Sequence, residues 1–265
     1  MITITSAQLN TWIAAFIWPL TRVLGLIAVA PIFGNRAVPV QVKVGLGIAI
    51  SLIVAPVVPA LPALDPMSLA GLLILAQQLV IGLAMGFAMR MVFAAVEMAG
   101  ELTGLTMGLG FATFFDPQSQ GRSSAISQFL SLLMTLVFLA VNGHLMLLSA
   151  LVESFHSLPV SSAPHGIGGL NQLVMAGGLV FSAGLQLALP IIAALLITNL
   201  ALGILTRAAP QLNLFGIGFP ITLTVGFALI AIALPYLATP LSHLLQEGIE
   251  LVGKIAASPI GGTFK

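Results

Sequence analysis

Long apolar runs separated by short polar connections dominate the chain. Crossing the apolar core of a bilayer takes about 20 apolar residues in a helix, and six segments meet that criterion. The third, fourth and fifth are long for one upright span, which favours tilting, kinking or burial against other protein. The pattern predicts an all-α polytopic membrane protein that forms a single domain over residues 1–265. Its apolar segments lie near residues 12–33, 44–64, 69–96, 125–152, 172–205 and 215–238.

Two kinds of residue are expected to interrupt these helices. Pro190 divides the fifth segment and Pro220 stands early in the sixth, so kinks are expected at both positions. An Asn-Gly pair precedes His144 inside the fourth segment and suggests a local break there.

Composition strengthens the membrane assignment. Hydrophobic residues make up 59% of the chain and charged residues only 6%, whereas a soluble domain carries about 25% charged residues. The net charge of +1, without any basic cluster, argues against nucleic acid as a partner. Cysteine is absent, which excludes disulfides and thiolate metal sites.

The few basic residues in the connections predict the orientation of the chain. Arg36 and Lys43 follow the first segment, Arg122 precedes the fourth, and Arg207 follows the fifth. Basic connections stay in the cytoplasm, so we expect both termini on the periplasmic side. Two lysines in the C-terminal tail go against this orientation.

Four charged residues fall within or beside the apolar segments. Arg22 and Arg90 are intramembrane cations by position, and such residues suggest a functional site. The alternative is that each reaches an interface or pairs with a carboxylate of a neighbouring chain. Glu97 and Glu101 share one helical face four residues apart and repel each other. We therefore expect them to need water or a cation.

Glycines spaced four residues apart predict close helix packing. Gly100, Gly104 and Gly108 form a three-member ladder, and Gly82 with Gly86 forms a shorter one. This small-xxx-small spacing lets helix backbones approach closely in an apolar environment. The contact expected is with another helix or with packed subunits.

The segment GLTMGLGFATFFDPQSQGRSS, residues 104–124, is called the plug-like segment below. Its glycines allow unusual backbone paths, and Asp116-Pro117 predicts a helix start that continues through Ser124. Two interpretations remain open: a re-entrant loop packed in the core, or a flexible apolar plug that lines a conduit. The candidate plug residues are Met107, Gly108, Gly110, Phe111, Phe114, Phe115, Asp116 and Pro117.

Catalysis finds no support in the sequence. It contains no HExxH, no GxSxG and no phosphate-binding loop with its lysine. The four histidines are scattered along the chain. We therefore expect no enzyme activity, no metal and no cofactor.

Three blocks of sequence, in this order, resemble the FliR family, the R subunit of the type III secretion export gate. They are WPLTRVLGLIAVAPIFGNRAVPVQVKVGLGIAIS, GELTGLTMGLGFATFFDPQSQGRSS and NGHLMLLSALVESFHSLPV. With the six-segment layout, the resemblance extends over essentially the whole chain. It favours the flagellar system, and the homologous subunit of the virulence-associated injectisome is the alternative.

The resemblance implies a role that composition does not reveal. FliR-like subunits assemble as hairpins with FliP and FliQ into a helical gate in the inner membrane, within the flagellar basal body. One R copy stands among several P and Q copies, FlhB wraps the cytoplasmic entrance, and unfolded flagellar proteins pass through. The segment matching residues 107–122 is a plug in the closed channel. A small-solute transporter or channel acting alone is the remaining alternative; it should show broken helices at matching points of two halves, and these are missing.

Overall fold

The computed structural model describes residues 6–59, 62, 64–111, 124–162, 168–209 and 218–257. Within these ranges the chain is helical and contains no strand, which confirms the all-α prediction. Two short 3-10 turns, Ala55–Val57 and Leu109–Phe111, follow α2 and α3. The helices are α1 (Ser6–Val29), α2 (Val40–Val54), α3 (Leu69–Thr106), α4 (Ala125–Ala140), α5 (Gly143–Ser157), α6 (Gly168–Ala208) and α7 (Phe219–Ala257).

Three of the helices are much longer than a bilayer requires. α3, α6 and α7 contain 38, 41 and 39 residues, which corresponds to about 57 to 62 Å of helix. The apolar core of a bilayer is only about 30 Å thick. Among the described residues, five helices are long and apolar enough to cross a membrane, and α4 with α5, bent by 66°, adds a sixth if the pair is counted as one span. The polytopic prediction is thereby confirmed.

The fourth apolar segment forms two helices because the chain breaks at Val141 and Asn142. Asn142 has a φ of 57°, a left-handed conformation that asparagine tolerates better than most residues. Its carbonyl oxygen accepts hydrogen bonds from the N–H groups of Leu145 and Met146, and this starts α5. The break that Asn-Gly suggested is therefore present.

The prolines act differently from one another. α6 is continuous from Gly168 to Ala208 and includes Pro190. Pro220 is the second residue of α7, in the first turn, where its missing N–H leaves no helical hydrogen bond unmade. The expected kink at Pro220 is therefore wrong, because α7 begins there. α7 also continues well beyond residue 238, the predicted end of the sixth segment, to Ala257.

The chain divides into two compact units, and α3, α6 and α7 contribute residues to both. Unit 1 comprises Met1–Met91, Asn142–Gly177 and Gln246–Lys265; unit 2 comprises Val92–Val141 and Gly178–Leu245. The core of unit 1 is built from α1, the first part of α3, α5 and the end of α7. Its fully buried members include Trp18, Leu26, Met85, Leu151 and Val252.

Unit 2 packs parts of α3, α4, α6 and α7 together. The rings of Phe93 and Phe138 meet edge to face, with centroids 5.9 Å apart. Gly184 brings α6 so close to α3 that an added Cβ would lie 2.9 Å from the carbonyl oxygen of Ala95. In contrast, only 17% of the apolar windows of α2, α6 and α7 is buried. These helices therefore present broad apolar faces that lipid or other protein must cover.

Candidate functional site

The structure describes the two ends of the plug-like segment. Residues 112–123 lie outside the described residues, and with them the candidates Phe114, Phe115, Asp116 and Pro117. Of Phe111 only the backbone, in the 3-10 turn Leu109–Phe111, is described. Met107, Gly108 and Gly110 at one end and Ser124 at the other are described in full.

The first end begins where α3 stops. The N–H of Met107 donates to the carbonyl oxygen of Thr103 at 2.9 Å, and the N–H of Gly108 donates to that of Leu105 at 3.0 Å. Gly108 has a φ of 89°, the left-handed conformation that commonly ends helices and that glycine adopts without strain. The third member of the glycine ladder therefore lies beyond the helix end and terminates α3.

Met107 is seated in the core of unit 2. Its side chain is fully buried and lies against α7, where an added Cβ on Gly226 would come within 2.6 Å of Met107 Cε. The Thr222 hydroxyl donates to the carbonyl oxygen of Met107 at 3.3 Å. The sequence placed Met107 on a bent loop, but the structure buries it as an anchor at the loop's start.

The second end is the N-terminus of α4. Ser124 has a φ of −57° and a ψ of 154°, and its hydroxyl oxygen accepts the N–H of Ser127 at 3.1 Å. Ser124 is therefore the N-cap of α4, and the prediction that one helix continues through Ser124 is wrong, because this ψ is not helical.

Glu101 completes this cap from another helix. Its Oε1 accepts the backbone N–H of Ser124 at 2.7 Å. In a capping box, a glutamate three residues after the cap accepts that N–H; here Ser127 occupies that position and Glu101 of α3 supplies the carboxylate. A negative charge at a helix N-terminus is also favourable because of the helix dipole.

Glu97 binds α4 one turn further along. Its Oε1 accepts the Ser131 hydroxyl at 3.2 Å, and its backbone carbonyl accepts the Ser127 hydroxyl at 2.9 Å. Both glutamates are half-buried. The structure thus gives this like-charged pair hydrogen-bond donors from α4, where the sequence predicted only water or a cation.

The glycines lie at close backbone contacts within the chain. A Cβ on Gly100 would overlap the Cα of Ser127 and lie 2.7 Å from its N. A Cβ on Gly104 would lie 3.0 Å from the Ser124 hydroxyl oxygen. The other glycine pair of α3 faces α1. A Cβ on Gly82 would overlap the carbonyl oxygen of Arg22, and a Cβ on Gly86 would lie 2.8 Å from the carbonyl oxygen of Leu26.

Arg22 and Arg90 have opposite environments. Arg90 is exposed, whereas Arg22 is fully buried in unit 1. The guanidinium of Arg22 binds the C-terminal end of α5: Nη1 donates to the Ser154 carbonyl oxygen at 2.7 Å and Nη2 to that of Leu158 at 2.8 Å. Nε donates to Gln78 Oε1 at 2.8 Å, and the Phe155 ring lies 4.2 Å from Cζ.

Arg22 is therefore buried instead of reaching an interface, and no carboxylate is among its hydrogen-bond partners in the described residues. It donates to the Leu158 carbonyl oxygen and adds a second donor to the Ser154 carbonyl oxygen, which also accepts the N–H of Leu158. It also places a positive charge where the helix dipole favours one. Among the described residues, the buried Nε2 of Gln78 and Nε1 of Trp18 have no hydrogen-bond partner.

Sequence reasoning missed the partners of Arg22, Glu101 and Met107. Ser124 carried a usable signal, because a serine directly before an apolar run is a typical N-cap. Gln78, Ser154 and Thr222 carried none, since they are distant in sequence from the groups they bind. Groups of three or more potential metal ligands are absent from the described residues.

Comparison with known proteins decides the family. The model of the family described as "Bacterial export proteins, family 1" matches residues 13–248. The chain is a family 1 bacterial export protein. It is 46% identical to the "Flagellar biosynthetic protein FliR" of Pectobacterium carotovorum subsp. carotovorum over 255 residues, which covers 96% of this chain and 97% of that protein.

Other relatives of this family 1 export protein bear the same name. The FliR of Escherichia coli (strain K12) is 46% identical over 257 residues, covering 96% of this chain and 97% of that protein. The FliR of Bacillus subtilis (strain 168) is 28% identical over 246 residues, covering 92% and 95% respectively. The resemblance to FliR is confirmed, and the apolar helices and these relatives fit a flagellar protein of the inner membrane.

Proposed function

We propose that this export protein is a non-catalytic subunit of the flagellar type III export gate, through which unfolded flagellar proteins cross the inner membrane. Its partners are FliP-like and FliQ-like subunits, with one copy of this chain per gate, and an FlhB-like subunit at the entrance. Both termini lie on the periplasmic side. The observation that carries the proposal is 46% identity to flagellar FliR proteins over 96% of the chain.

The dimensions of the chain support assembly with other subunits. α3, α6 and α7 are about twice as long as a bilayer core is thick, and most of the apolar window of α6 and α7 is exposed. Lipid covers only the part of a helix that lies within the bilayer. The remaining apolar surface requires protein partners.

Residues 107–122 form the hydrophobic plug of this gate. A narrow apolar constriction closes a channel by excluding water, which suits phenylalanine, and glycine allows the segment to move aside. Met107 supports this proposal as a buried anchor, and Gly108, with its left-handed φ, ends α3 before the segment begins.

The first prediction tests the plug. Deleting Gly110 to Phe115, or changing Phe111, Phe114 and Phe115 to alanine, should leave the gate assembled and make the membrane leaky to small ions. Yield of the co-purified complex and membrane conductance are measured on the same variants. A matched control changes three exposed phenylalanines on helices, Phe129, Phe181 and Phe227, to alanine; no leak is expected from it.

The core interpretation predicts the reverse result. Loss of a buried phenylalanine costs about 3–5 kcal/mol, so three losses would abolish assembly before any leak appeared. Lost assembly without conductance would overturn the plug. Recovery of the tagged chain as a monomer that moves a small solute would overturn the gate as a whole.

A further inference from the structure

One exposed side chain of α6 does not suit a lipid environment. Asn199 lies among large exposed apolar side chains that include Leu196 and Leu200. Its carboxamide has no hydrogen-bond partner in the described part of the chain. In the same helix, the hydroxyl groups of Thr198 and Thr206 donate to backbone carbonyl oxygens of α6. Asn199, unlike them, still requires a partner.

The exposed surface of α7 changes character at Tyr236. From Phe219 to Tyr236 its large exposed side chains are apolar or aromatic, and these 18 residues correspond to about 27 Å of helix, close to the about 30 Å of a bilayer core. After Tyr236, α7 exposes polar side chains such as Thr239, His243 and Glu247, whereas its large apolar side chains are buried or half-buried. This change is typical of a helix that leaves the apolar core of a bilayer near Tyr236.

The packing of α6 on α7 gives the depth of Asn199. Leu187 and Ile191 of α6 line the same small cavity of unit 2 as Leu237 and Leu241 of α7, so these four residues lie at one level. Only ten residues separate the two helices, about 36 Å at full extension. Helix ends on opposite sides of the cavity would be about 50 Å apart, so both helices continue to the same side.

Asn199 follows Ile191 by eight residues, about 12 Å along α6 on that side. It therefore lies near the middle of the segment that matches the bilayer core.

Lipid cannot satisfy the Asn199 carboxamide at this depth. Hydrocarbon offers no hydrogen bonds, so an unpaired amide within it is costly, and the short side chain of asparagine does not reach the interface. A water-filled passage would hydrate the amide but would also wet Leu196 and Leu200 beside it. Another membrane helix meets both requirements, because polar side chains in membranes hydrogen-bond across helices while apolar neighbours pack.

The backbone beside Asn199 is open to such a neighbour. Gly203, one turn further along α6, is exposed, and an added Cβ there meets nothing within 4 Å. A small residue at this spacing lets a second helix approach closely, near enough for the short asparagine side chain to reach it.

We propose that the α6 face around Asn199 binds a membrane helix of another gate subunit. This helix presents a serine, threonine, asparagine or glutamine side chain, which forms a hydrogen bond with the Asn199 carboxamide. Leu196 and Leu200 pack against its apolar side chains, and Gly203 admits its backbone. The inference rests on the proposed gate function and adds the position and chemistry of one subunit contact.

Replacing the carboxamide distinguishes a protein partner from lipid by the sign of the effect. Asn199→Leu should lower the yield of the co-expressed, co-purified gate about threefold or more, because the polar side chain of the partner loses its hydrogen bond. If lipid covered this face, leucine would remove an unpaired amide and the yield would stay the same or rise, which would overturn the proposal. Asn199→Gln keeps the carboxamide, so its yield should lie between those of Asn199→Leu and the unchanged chain.

The matched control is Gln186→Leu. Gln186 is an exposed carboxamide of the same helix, next to Leu187 and thus at the level where α7 leaves the apolar core. Water reaches it there, and its replacement should change the yield little. Equal losses from Gln186→Leu and Asn199→Leu would overturn the proposal, because added apolar surface would then explain both.

A photochemical cross-link identifies the occupant of this face. A diazirine analogue of leucine replaces Leu196, and the purified gate is irradiated, with an unirradiated sample as the control. Mass spectrometry should locate the adduct on a membrane helix of another subunit, within two turns of one of the four polar residue types. An adduct with lipid, the absence of a protein adduct, or an adduct on a helix without such a residue would each overturn the proposal.

These outcomes differ from failure of the proposed function. If the unchanged chain does not co-purify with FliP-like and FliQ-like subunits, the gate is wrong and the contact is wrong with it. If the Asn199→Leu gate assembles in full yield and exports flagellar proteins, the gate stands and the Asn199 contact alone is wrong.

Discussion

A single buried cation, Arg22, shows how this chain places a charge within an apolar helix. An unpaired charge in a dry interior is costly, yet Arg22 has no carboxylate among its hydrogen-bond partners in the described residues. The C-terminal carbonyl oxygens of α5 take that place and carry the negative end of the helix dipole. Arg22 and the end of α5 therefore stabilise each other.

Replacing Arg22 should destabilise the assembled protein. Arg22→Ala removes the donor of the buried Leu158 carbonyl group, at about 1–3 kcal/mol, whereas the Ser154 carbonyl oxygen keeps the N–H of Leu158. The stability of Arg22→Lys should lie between that of Arg22→Ala and that of the unchanged protein. An ammonium group keeps the charge but cannot reach Gln78 and both carbonyl oxygens in the geometry of a guanidinium. Thermal denaturation of the detergent-solubilised complex measures both losses.

The matched control is Arg36→Ala, which removes an exposed arginine and should change the melting temperature little. If Arg22→Ala and Arg36→Ala shift it equally, the docking of Arg22 on α5 contributes nothing to stability.

At the scale of elements, glycine contacts determine how closely α3 approaches its neighbours. Gly100 and Gly82 face backbone atoms of α4 and α1, which cannot move aside, whereas Gly104 faces a serine side chain, which can. An added Cβ on Gly178 of α6 meets nothing within 4 Å. Replacing a glycine should therefore destabilise the complex at some of these positions and stabilise it at others.

Adding one methyl group tests this difference. Gly100→Ala should cost about 1–3 kcal/mol through overpacking, and Gly104→Ala should cost less. Gly178→Ala should be neutral or gain up to about 1 kcal/mol, because alanine favours helix. Yield and melting temperature of the complex rank the variants; equal effects at Gly100 and Gly178 would contradict the close contact.

Hydropathy predicted the apolar helices well but not all of their ends. α7 continues to Ala257 because its last turns are amphipathic, with Val252 and Ile255 buried in unit 1, and a search for purely apolar runs stops before such turns. Asn-Gly correctly marked the break before α5. The partners that bind the two ends of the plug-like segment were not predictable, since Ser124 and Glu101 are 23 residues apart and Met107 and Thr222 are 115 apart.

At the scale of the whole molecule, exposed apolar surface exceeds what a bilayer can cover. On α6, large exposed apolar side chains extend from Val174 to Ile204, a distance of about 45 Å along the helix. The apolar core of the bilayer accounts for about 30 Å of it. We therefore expect about a third of that face to contact other protein.

We therefore expect the chain to be short-lived when it is made alone. Without FliP-like and FliQ-like subunits, the uncovered part of α6 lies in water or in a mismatched bilayer, and both promote aggregation or proteolysis. Pulse-chase labelling should show that the chain has a several-fold longer half-life when these partners are co-expressed. Co-expression of an unrelated membrane protein is the control and should not lengthen the half-life. A well-folded monomer with the same half-life in both cases would contradict the requirement for partners, because its apolar faces would then be covered by lipid alone.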